Sequence, residues 1–346
     1  MLKREVVEDI AVLLRGFFAA PVISSLGRLG ALDVMRSAES FTADDLTGIS
    51  NKRLLNDTFR YLLRIGLLQK EDGQDGTYAA SELGKEIFRR ANSFYVPHSY
   101  YEYMYHYHQM LQDPLVREKC KVERLENVIG SGITHQRYFP PAISFLKRKT
   151  DFDVLADIGC GDGQFLLAFL KAVSVKKVIG VDLSEVSTKF TYENVSTKYP
   201  QQPLATICSD ALDVAGWSRK VLEEATGAKI AISMWFLLHE ISRNDPANLV
   251  EFFCRIHEVF PESPIVAGEV VMQSDEILVR QNEKSLMPEY LFFHEMSEQG
   301  ILSWSGYREA LNAIPYTLVF ERLFDEASDA RGNKMPSTFV WGLMPK

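Results

Sequence analysis

Asp157-Ile158-Gly159-Cys160-Gly161-Asp162-Gly163 lies between two apolar segments, residues 153–156 and residues 165–170. A strand, a glycine turn and a helix in this order allow the backbone to approach a nucleoside cofactor closely. Glycine suits such a turn because a Cβ would hold the ligand away. The stretch therefore predicts a cofactor-binding αβ unit, and an ordinary αβ unit with a glycine turn is the alternative.

A second acidic residue follows the glycines at the spacing that is typical of a ribose-binding carboxylate. The apolar residues 178–181 predict the next strand, and Asp182 stands at its end. A carboxylate about 20 residues past the glycines can accept hydrogen bonds from both ribose hydroxyls. Asp157 opens the loop and Asp162 lies inside it, where a carboxylate would repel a phosphate that approached the helix N-terminus. The pattern therefore favours a cationic ligand without phosphate over a dinucleotide.

This D-x-G-x-G-x-G pattern resembles motif I of the class I S-adenosylmethionine methyltransferases, and Asp182 matches their ribose-binding acid. The resemblance extends from Phe152 to the C-terminus and implies S-adenosyl-L-methionine as the cofactor. It implies that four loop residues contact the cofactor: Asp157, Gly159, Gly161 and Gly163. Ser209, Asp210 and Ala211 resemble the polar turn after the third strand, which in that family usually meets the adenine amine.

Composition sets outer limits on the function. The chain has 346 residues, of which 46% are hydrophobic and 24% charged, values typical of a globular protein with two or more domains. The net charge of −8 offers no basic excess to neutralise phosphates, which disfavours a nucleic-acid partner. No apolar run of about 18 residues and no signal-peptide pattern is recognised, so the sequence predicts no membrane span. Four scattered cysteines indicate reduced thiols in a cytoplasmic protein: Cys120, Cys160, Cys208 and Cys254.

Residues 1–91 predict a mainly helical winged-helix domain. A broad apolar stripe runs from Glu5 to Leu32, and such a stripe, when exposed, often marks a dimer contact. A helix is predicted to start at Phe41-Thr42 with a threonine cap, and a longer one spans Asn51–Leu68 before a hairpin. The domain resembles the N-terminal dimerisation domain of small-molecule O-methyltransferases, which implies a homodimer. Winged helices often bind DNA, but the basic residues here are mixed with acids.

Residues 92–150 form a predicted helical linker that is rich in aromatic residues. These side chains either form core or cover an acceptor pocket, since pockets often form between domains. The aromatic residues are Phe94, Tyr95, Tyr100, Tyr101, Tyr103, Tyr105 and Tyr107.

Residues 151–346 alternate predicted strands with helices, which indicates a doubly wound, mostly parallel Rossmann-like sheet. The last two strands, near residues 316–324 and 338–344, are predicted to form an antiparallel edge hairpin. The fourth strand, residues 229–235, leads to His239 at the carboxyl edge of the sheet, where ligands bind in this fold.

His239 is the leading catalytic candidate. In the O-methyltransferases of this architecture, a histidine at the matching place is the general base, and Gly268-Glu269-Val270 resembles their strand-five motif. Those enzymes usually follow the histidine with Asp-Trp, whereas Glu240-Ile241 follows here. A histidine satisfied inside the core is the alternative.

A second His-Glu pair occurs at His294-Glu295. It lies about 55 residues from the first, so the two do not form a His-Glu-x-x-His zinc motif on one helix. Segments after strands four and five can nevertheless meet over the cofactor. Two neutral imidazoles there would suit Fe, Zn or Ni, with water and substrate completing the coordination.

This pairing resembles the metal-dependent C-methyltransferases that act on the β carbon of phenylpyruvate, α-ketoisocaproate or 2-ketoarginine. The resemblance implies that His239 and His294 bind a divalent transition metal, which stabilises an enolate as a Lewis acid. Glu240 is a candidate base or orienting residue, and Arg124 a candidate for gripping the keto-acid carboxylate. His135 and Arg137 are weaker candidates for the same task. Alternatively, the glutamates are solvated helix charges and Arg124 belongs to a surface ion-pair network.

The preferred interpretation is a cytoplasmic, homodimeric S-adenosylmethionine-dependent enzyme that methylates C3 of an α-keto acid, with 2-ketoarginine as one acceptor that the resemblance allows. A guanidinium tail would require carboxylates, and the sequence offers Glu102, Asp113, Glu283 and Glu289. One alternative is a metal-independent O-methyltransferase of phenols or other hydroxyls with His239 as base. Another is a DNA-binding regulator that senses S-adenosylmethionine.

Overall fold

A computed structural model describes residues 4–71, 76–149, 151–281, 286–328, 332 and 334–346. The chain forms two compact units, which divide between Tyr101 and Glu102. The aromatic segment 92–150 is thereby shared between the two units.

The first unit is mainly helical and contains one short hairpin. Its order of helix, helix and hairpin matches the predicted winged-helix pattern. The elements are α1 (Arg4–Arg28), α2 (Ala31–Ser37), α3 (Lys52–Arg64), β1 (Leu68–Lys70), β2 (Tyr78–Ala80), α4 (Glu82–Arg89), a 3₁₀-helix (Ala91–Phe94) and α5 (Tyr95–Ser99).

Two predictions for this unit have different outcomes. The predicted helix over residues 51–68 exists as α3, and Asn51 caps it by accepting a hydrogen bond from the backbone of Leu54 at 3.1 Å. The prediction of a helix starting at Phe41 is wrong. Phe41 pairs in extended conformation with Tyr78, and the backbone N–H of Thr42 donates to the Asp45 carboxylate at 2.6 Å, which closes a turn.

Helix α1 contains a segment that passes the length and composition test for a membrane span, unlike the expectation from the sequence. Within the described residues, Ile10–Arg28 is long and apolar enough to cross a bilayer. Core helices of soluble proteins and signal sequences pass the same test. The test therefore assigns no location to the chain.

The second unit begins with short helices and continues into a strand–helix alternation. The first elements are α6 (Tyr101–Tyr105, which starts at the division), α7 (Tyr107–Met110), a 3₁₀-helix (Pro114–Lys119), α8 (Arg124–His135), a 3₁₀-helix (Gln136–Tyr138) and α9 (Phe139–Arg148). The alternation comprises β3 (Val154–Ile158), α10 (Gln164–Leu170), β4 (Lys177–Asp182), α11 (Glu185–Lys198), β5 (Leu204–Cys208), α12 (Val214–Ala225), β6 (Ile230–Trp235), α13 (Leu238–Ser242), α14 (Pro246–Val259) and β7 (Ile265–Val270). The remaining elements are α15 (Asp275–Gln281), α16 (Met287–Met296), α17 (Trp304–Ala313), β8 (Tyr316–Phe324), β9 (Ala327–Ser328), β10 (Lys334–Met335) and β11 (Thr338–Pro345).

The central sheet has seven strands in the order β5-β4-β3-β6-β7-β11-β8. Strands β3 to β7 are parallel, and β11 is antiparallel to both β7 and β8. The predicted α/β class and the antiparallel pairing of the last strands are confirmed. Strands β11 and β8 form the predicted hairpin at this edge of the sheet, with the half-exposed β8 outermost and the buried residues 338–343 of β11 next to β7.

The strand order reverses beside β3, which opens a crevice at the carboxyl edge of the sheet. Buried aliphatic and aromatic side chains on both faces of the sheet hold the strands rigidly in register. The loops after β3, β4, β5, β6 and β7 therefore emerge side by side over this crevice. The glycines, Asp210 and His239 lie in these loops or directly after them, whereas Arg124 and His294 lie on α8 and α16.

Candidate active site

The glycine loop after β3 adopts a backbone that non-glycine residues rarely tolerate. Gly159, Gly161 and Gly163 have φ values of 75°, 56° and 78°. A Cβ at Gly163 would also lie 3.1 Å from the side chain of Thr191 on α11. The loop therefore brings its backbone close to the neighbouring helix, and its N–H groups donate hydrogen bonds to Val181, Asp182 and Cys160.

Two polar residues of α11 fix this loop, and the sequence interpretation missed them. Thr191 donates its hydroxyl to the carbonyl of Gly161 at 2.8 Å, and Asn194 donates its amide to the carbonyl of Asp162 at 2.9 Å. Their spacing of three residues places them on one helix face. That spacing on the helix that follows the ribose acid is the signal that could have identified them.

Asp182 ends β4 and lies against the glycine loop. One carboxylate oxygen accepts from the backbone N–H of Gly161 at 3.0 Å, and the other accepts from Ser184 at 2.9 Å. Burial raises the pKa of Asp182, although these two hydrogen bonds and the charge of Arg124 oppose the shift. Each oxygen retains a further lone pair, which suits the two hydroxyls of a ribose.

Asp157 lies inside the sheet and not at the crevice surface. It is buried on β3 and accepts a hydrogen bond from the hydroxyl of Ser233 on β6 at 2.7 Å. Burial raises its pKa to about 7, the Ser233 bond opposes this, and the charges of Asp182 and Asp162 add to it. Its direct role in the structure is thus to join two central strands below the cofactor loop.

Replacement of Asp157 with asparagine is expected to stabilise the ligand-free protein at pH 8 and to change little at pH 4. The pKa rises from 3.8 to about 7 on folding, so stability falls as pH increases between these values. A shift of about three pH units corresponds to roughly 4 kcal/mol. Urea denaturation at both pH values measures the gain, and the control is Asp153→Asn, which removes a partly exposed carboxylate before the same strand. An equal gain at both pH values would contradict the assignment.

Asp162 caps the start of α10 and faces α8. Its carboxylate accepts from the backbone of Gln164 at 3.2 Å, and burial raises its pKa to about 7. A Cβ at Gly132 on α8 would lie 2.5 Å from the same carboxylate. Gly132 therefore permits α8 to lie directly against the glycine loop.

A cavity of about 1000 Å³ extends from the turn after β5 toward α16. Asp210 and Ala211 line it beside Leu183, and Ser209 is tied to Asp182 by a backbone hydrogen bond of 2.9 Å. The wall toward α16 includes Arg124, Glu240, His294, Glu295, Glu298 and Gln299. Its size suits a nucleoside cofactor together with a small acceptor.

His239 is buried on α13 and is held by a carboxylate of β7. Its Nδ1 lies 3.0 Å from Glu269 Oε1, and its backbone N–H donates to Glu269 Oε2 at 3.1 Å. Burial lowers the pKa of His239, but the charge and hydrogen bond of Glu269 outweigh it, so the pKa is raised. Gln299 adds a further hydrogen bond to the ring. The carboxylate therefore fixes the ring's orientation and its basicity.

His294 is buried on α16, and its Nδ1 atom also has a hydrogen-bond partner within the protein. Its Nδ1–H donates to the carbonyl of Tyr290 at 2.7 Å, which leaves the lone pair on Nε2. Burial lowers its pKa to about 3, and the charge on His239 adds to the shift. The two rings lie edge to face, with centroids 4.9 Å apart. Two imidazoles that are 55 residues apart in sequence thus meet at the crevice.

The donor set of this pair fits a metal that takes its other ligands from substrate and water. Each Nδ1 is engaged by a carboxylate or carbonyl, as is usual for metal-binding histidines, and His294 is neutral. Among the described residues, no group of three or more His, Cys, Asp or Glu side chains could hold a metal ion. Protein ligands would therefore number two.

Arg124 and Glu240 lie next to each other in the wall of the cavity. The Arg124 Nη1 atom lies 4.0 Å from Glu240 Oε1, and both side chains are half-exposed. Burial raises the pKa of Asp182, and the charge of Arg124 opposes this shift, so the two groups interact electrostatically. The guanidinium is open to a bound anion because this ion pair is long and both side chains are half-exposed.

Several other candidates lie elsewhere. Arg137 is engaged with Tyr138 and with Asp325, so it is committed to the end of β8. Glu102 accepts from the backbone of Lys121 at 2.8 Å, and Asp113 caps a 3₁₀-helix. Glu289 is in the first turn of α16, and Glu283 lies outside the described residues.

Tyr107 packs edge to face on Phe292 at 5.8 Å, and the aromatic residues of segment 92–150 do not contribute to the wall of the described cavity.

Comparisons with known proteins identify one domain and the fold of the chain. Residues 155–258 match the family model described as a methyltransferase domain. No curated protein sequence matches the chain. Three solved structures share the fold over nearly the whole length. The first is mitomycin 7-O-methyltransferase MmcR (14% identity, TM-score 0.61, 99% of this chain and 98% of that chain). The others are N,N-8-amino-8-demethyl-D-riboflavin dimethyltransferase RosA from Streptomyces davawensis (16%, 0.54, 100% of both chains) and the O-methyltransferase NcsB1 from neocarzinostatin biosynthesis, in complex with S-adenosylmethionine (11%, 0.53, 95% and 96%).

Residues 155–258 therefore belong to a methyltransferase domain, and the chain as a whole shares the fold of solved methyltransferase structures. Its Rossmann-like domain follows a mainly helical N-terminal unit, as the sequence predicted. These neighbours include an O-methyltransferase and an N,N-dimethyltransferase, so the fold does not determine the acceptor.

Proposed function

We propose that the enzyme methylates the β carbon of an α-keto acid. The observation that carries this proposal is the contact between the His239 and His294 rings, whose centroids are 4.9 Å apart. An oxygen nucleophile needs one base, and Glu269 already completes a histidine–carboxylate pair for that purpose. A second buried, neutral imidazole against the first is better explained by a shared ligand.

That shared ligand would be a divalent transition metal. When bound, it would supply Lewis-acid stabilisation to the keto oxygen and carboxylate of the acceptor. The protein's own contribution is orientation, because Glu269 and the Tyr290 carbonyl fix the two rings from behind. Arg124 would bind the acceptor's carboxylate, since a guanidinium fork matches that geometry.

The transfer step conserves atoms and charge in a simple way. A β C–H bond of the acceptor breaks and the proton passes to a base, for which Glu240 is the candidate on the cavity wall. A new bond forms from the β carbon to the methyl group as the sulfur–methyl bond breaks, giving S-adenosylhomocysteine. Proximity and alignment of the two carbons supply much of the rate enhancement.

The acidic side of the cavity favours an acceptor with a cationic tail. Glu295 and Glu298 line it beside His294, and Glu298 is paired with Arg117. A guanidinium tail, as in 2-ketoarginine, would pair with such carboxylates. Phenylpyruvate and α-ketoisocaproate carry no cation for Glu295, whereas Glu298 is held by Arg117 in either case.

Metal analysis of the purified enzyme together with product analysis tests the proposal. The enzyme is incubated with S-adenosylmethionine and each of the three keto acids, and the new C–CH₃ signal is identified by NMR. We expect a stoichiometric transition metal and C3 methylation, fastest with 2-ketoarginine. Metal-free enzyme that methylates a phenol would refute the proposal.

A metal-independent O-methyltransferase is the second candidate. The buried His239–Glu269 pair favours it, because a carboxylate that raises the pKa of an imidazole makes it a stronger base. Under this alternative His294 only packs against His239. Activity toward a hydroxyl acceptor in the presence of a chelator would support it.

We also propose that α1 joins two copies of the chain. It exposes a broad apolar stripe, in which Leu13 and Phe17 are 74% and 72% exposed, and soluble monomers rarely leave such a patch uncovered. The predicted N-terminal dimerisation role agrees with this exposure. A second copy of the same stripe is the partner of matching chemistry.

Charged substitutions in this stripe are expected to produce a monomer. A Leu13→Glu, Phe17→Glu double variant should have half the mass of the wild type by light scattering, because two carboxylates cannot be buried in an apolar interface. Leu83→Glu, on the exposed side of α4, is the control. A monomeric wild type, or one that floats with lipid vesicles, would count against the dimer.

A further inference from the structure

Phe236 is the residue after β6, and its backbone is strained. Its φ of 51° lies in the left-handed region, which is unfavourable for a bulky residue. The backbone N–H donates to the carbonyl of Gly268 at 2.8 Å, so the strand pairing continues up to this residue. Such strain persists where the surroundings impose it, and it concentrates at functional sites. Here the strained residue is three positions before His239.

Two aromatic side chains contact the ring of Phe236. The His135 ring stacks on it with a centroid distance of 3.6 Å and an interplanar angle of 14°. Tyr138 lies at 5.5 Å in a tilted arrangement. His135 ends α8 and Tyr138 ends the following 3₁₀-helix, so one segment of the chain supplies both contacts.

The strained turn connects the cofactor loop with the catalytic histidine. Leu237 packs against the glycine loop, where a Cβ at Gly159 would lie 3.3 Å from its side chain. The chain then enters α13, which carries His239. Glu269 of β7 accepts a hydrogen bond from the backbone N–H of His239 and contacts its ring. A change of φ at Phe236 would therefore displace His239 relative to the methyl donor.

We propose that His135 and Phe236 form a positioning pair that holds the β6–α13 turn in its strained conformation. His135 acts through the face of its ring and not through its nitrogens. The other end of α8 carries Arg124, so the same helix sets both the turn and the candidate anion-binding arginine. The proposal depends on methyl transfer from S-adenosylmethionine and holds for any acceptor.

Loss of the stacked ring removes the contact that opposes relaxation of the turn. A displacement of about 1 Å at a reacting group can lower the rate by on the order of 10²-fold. We therefore expect His135→Ala to lower kcat by roughly 10- to 100-fold. The KM for S-adenosylmethionine should change little, because Asp182 and the glycine loop are unaltered.

The test compares His135→Ala with His135→Phe, which keeps the stack and removes both nitrogens. The matched control is His108→Ala, which removes an exposed imidazole elsewhere in the same unit. Steady-state kinetics give kcat and KM. The downfield NMR signal of the His239 Nδ1 proton, assigned with His239→Ala, reports ring position without any acceptor. His135→Leu replaces the alanine variant if alanine prevents folding.

The expected result is that His135→Phe restores kcat and the wild-type position of the His239 proton signal, whereas His135→Ala loses both. Two results would overturn the proposal. His135→Phe as impaired as His135→Ala would show that a nitrogen matters, and wild-type values for His135→Ala would show that the stack positions nothing. Because the NMR readout needs no acceptor, failure of the keto-acid proposal is distinguishable from failure of this one.

Discussion

Alanine at position 294 is expected to abolish methyl transfer to the α-keto acid, with kcat reduced by at least about 10³-fold. Lewis-acid stabilisation contributes several kcal/mol, and a single remaining imidazole would retain a metal weakly. Binding of S-adenosylhomocysteine should change little, because Asp182 and the glycine loop do not depend on His294. Kinetics, metal analysis and calorimetric titration of the same preparation measure the three quantities.

Comparison of His294→Ala with His239→Ala distinguishes the two proposed functions. Under the keto-acid proposal, His239→Ala and His294→Ala lose metal and activity to a similar extent. Under the O-methyltransferase alternative, His239→Ala is inactive and His294→Ala keeps kcat within about tenfold, because general-base catalysis needs one imidazole. His257→Ala, on α14 and away from the cavity, is the control for loss of a part-buried histidine.

Local sequence signals predicted the cofactor half of the site. The glycines and Asp182 are close in sequence, and the need for positive φ and close approach restricts residue type there. The alternation of strands and helices likewise predicted the sheet, since a doubly wound sheet places successive strands in a limited set of orders. Both signals depend on local spacing, which a single sequence displays directly.

Features that depend on distant residues escaped prediction. The helix predicted at Phe41 is replaced by pairing with Tyr78, and Arg137 is engaged by Asp325, 188 residues away. The position of β11 between β7 and β8 likewise depends on non-local pairing. Spacing alone also could not reveal that Asp157 is buried beneath the loop. In each case the deciding partner is set by the tertiary fold.

The acceptor side of the site could be predicted from the sequence only in part. A repeated His-Glu motif drew attention to His239 and His294, and the structure places their rings in contact. The sequence could not show that Glu269 and the Tyr290 carbonyl hold the two Nδ1 atoms. Because these contacts fix both rings, the proposed shared role of His239 and His294 can be tested by substitution.

Replacement of Glu269 with glutamine is expected to lower kcat by about 10²-fold and to shift the acidic limb of the pH–rate profile to lower pH. Both proposed roles of His239, metal ligand and base, need its neutral form. Burial lowers the pKa of His239 and the Glu269 charge raises it, so loss of the charge lowers the pKa. The neutral form then persists at lower pH, yet the misoriented ring works poorly. Initial rates from pH 5 to pH 9 test both effects.

The stability of Glu269→Gln should also depend on pH, in the direction that the pKa shift of His239 predicts. Because the folded-state pKa of His239 is raised, its protonation stabilises the wild type below the unfolded pKa, and this contribution disappears as pH rises through the folded value. The deficit of Glu269→Gln should therefore be larger at pH 5.5 than at pH 8. Glu269→Asp keeps the charge and serves as the control, with an unshifted acidic limb and a lower kcat. An acidic limb that stays in place in Glu269→Gln would mean that Glu269 does not set the protonation of His239.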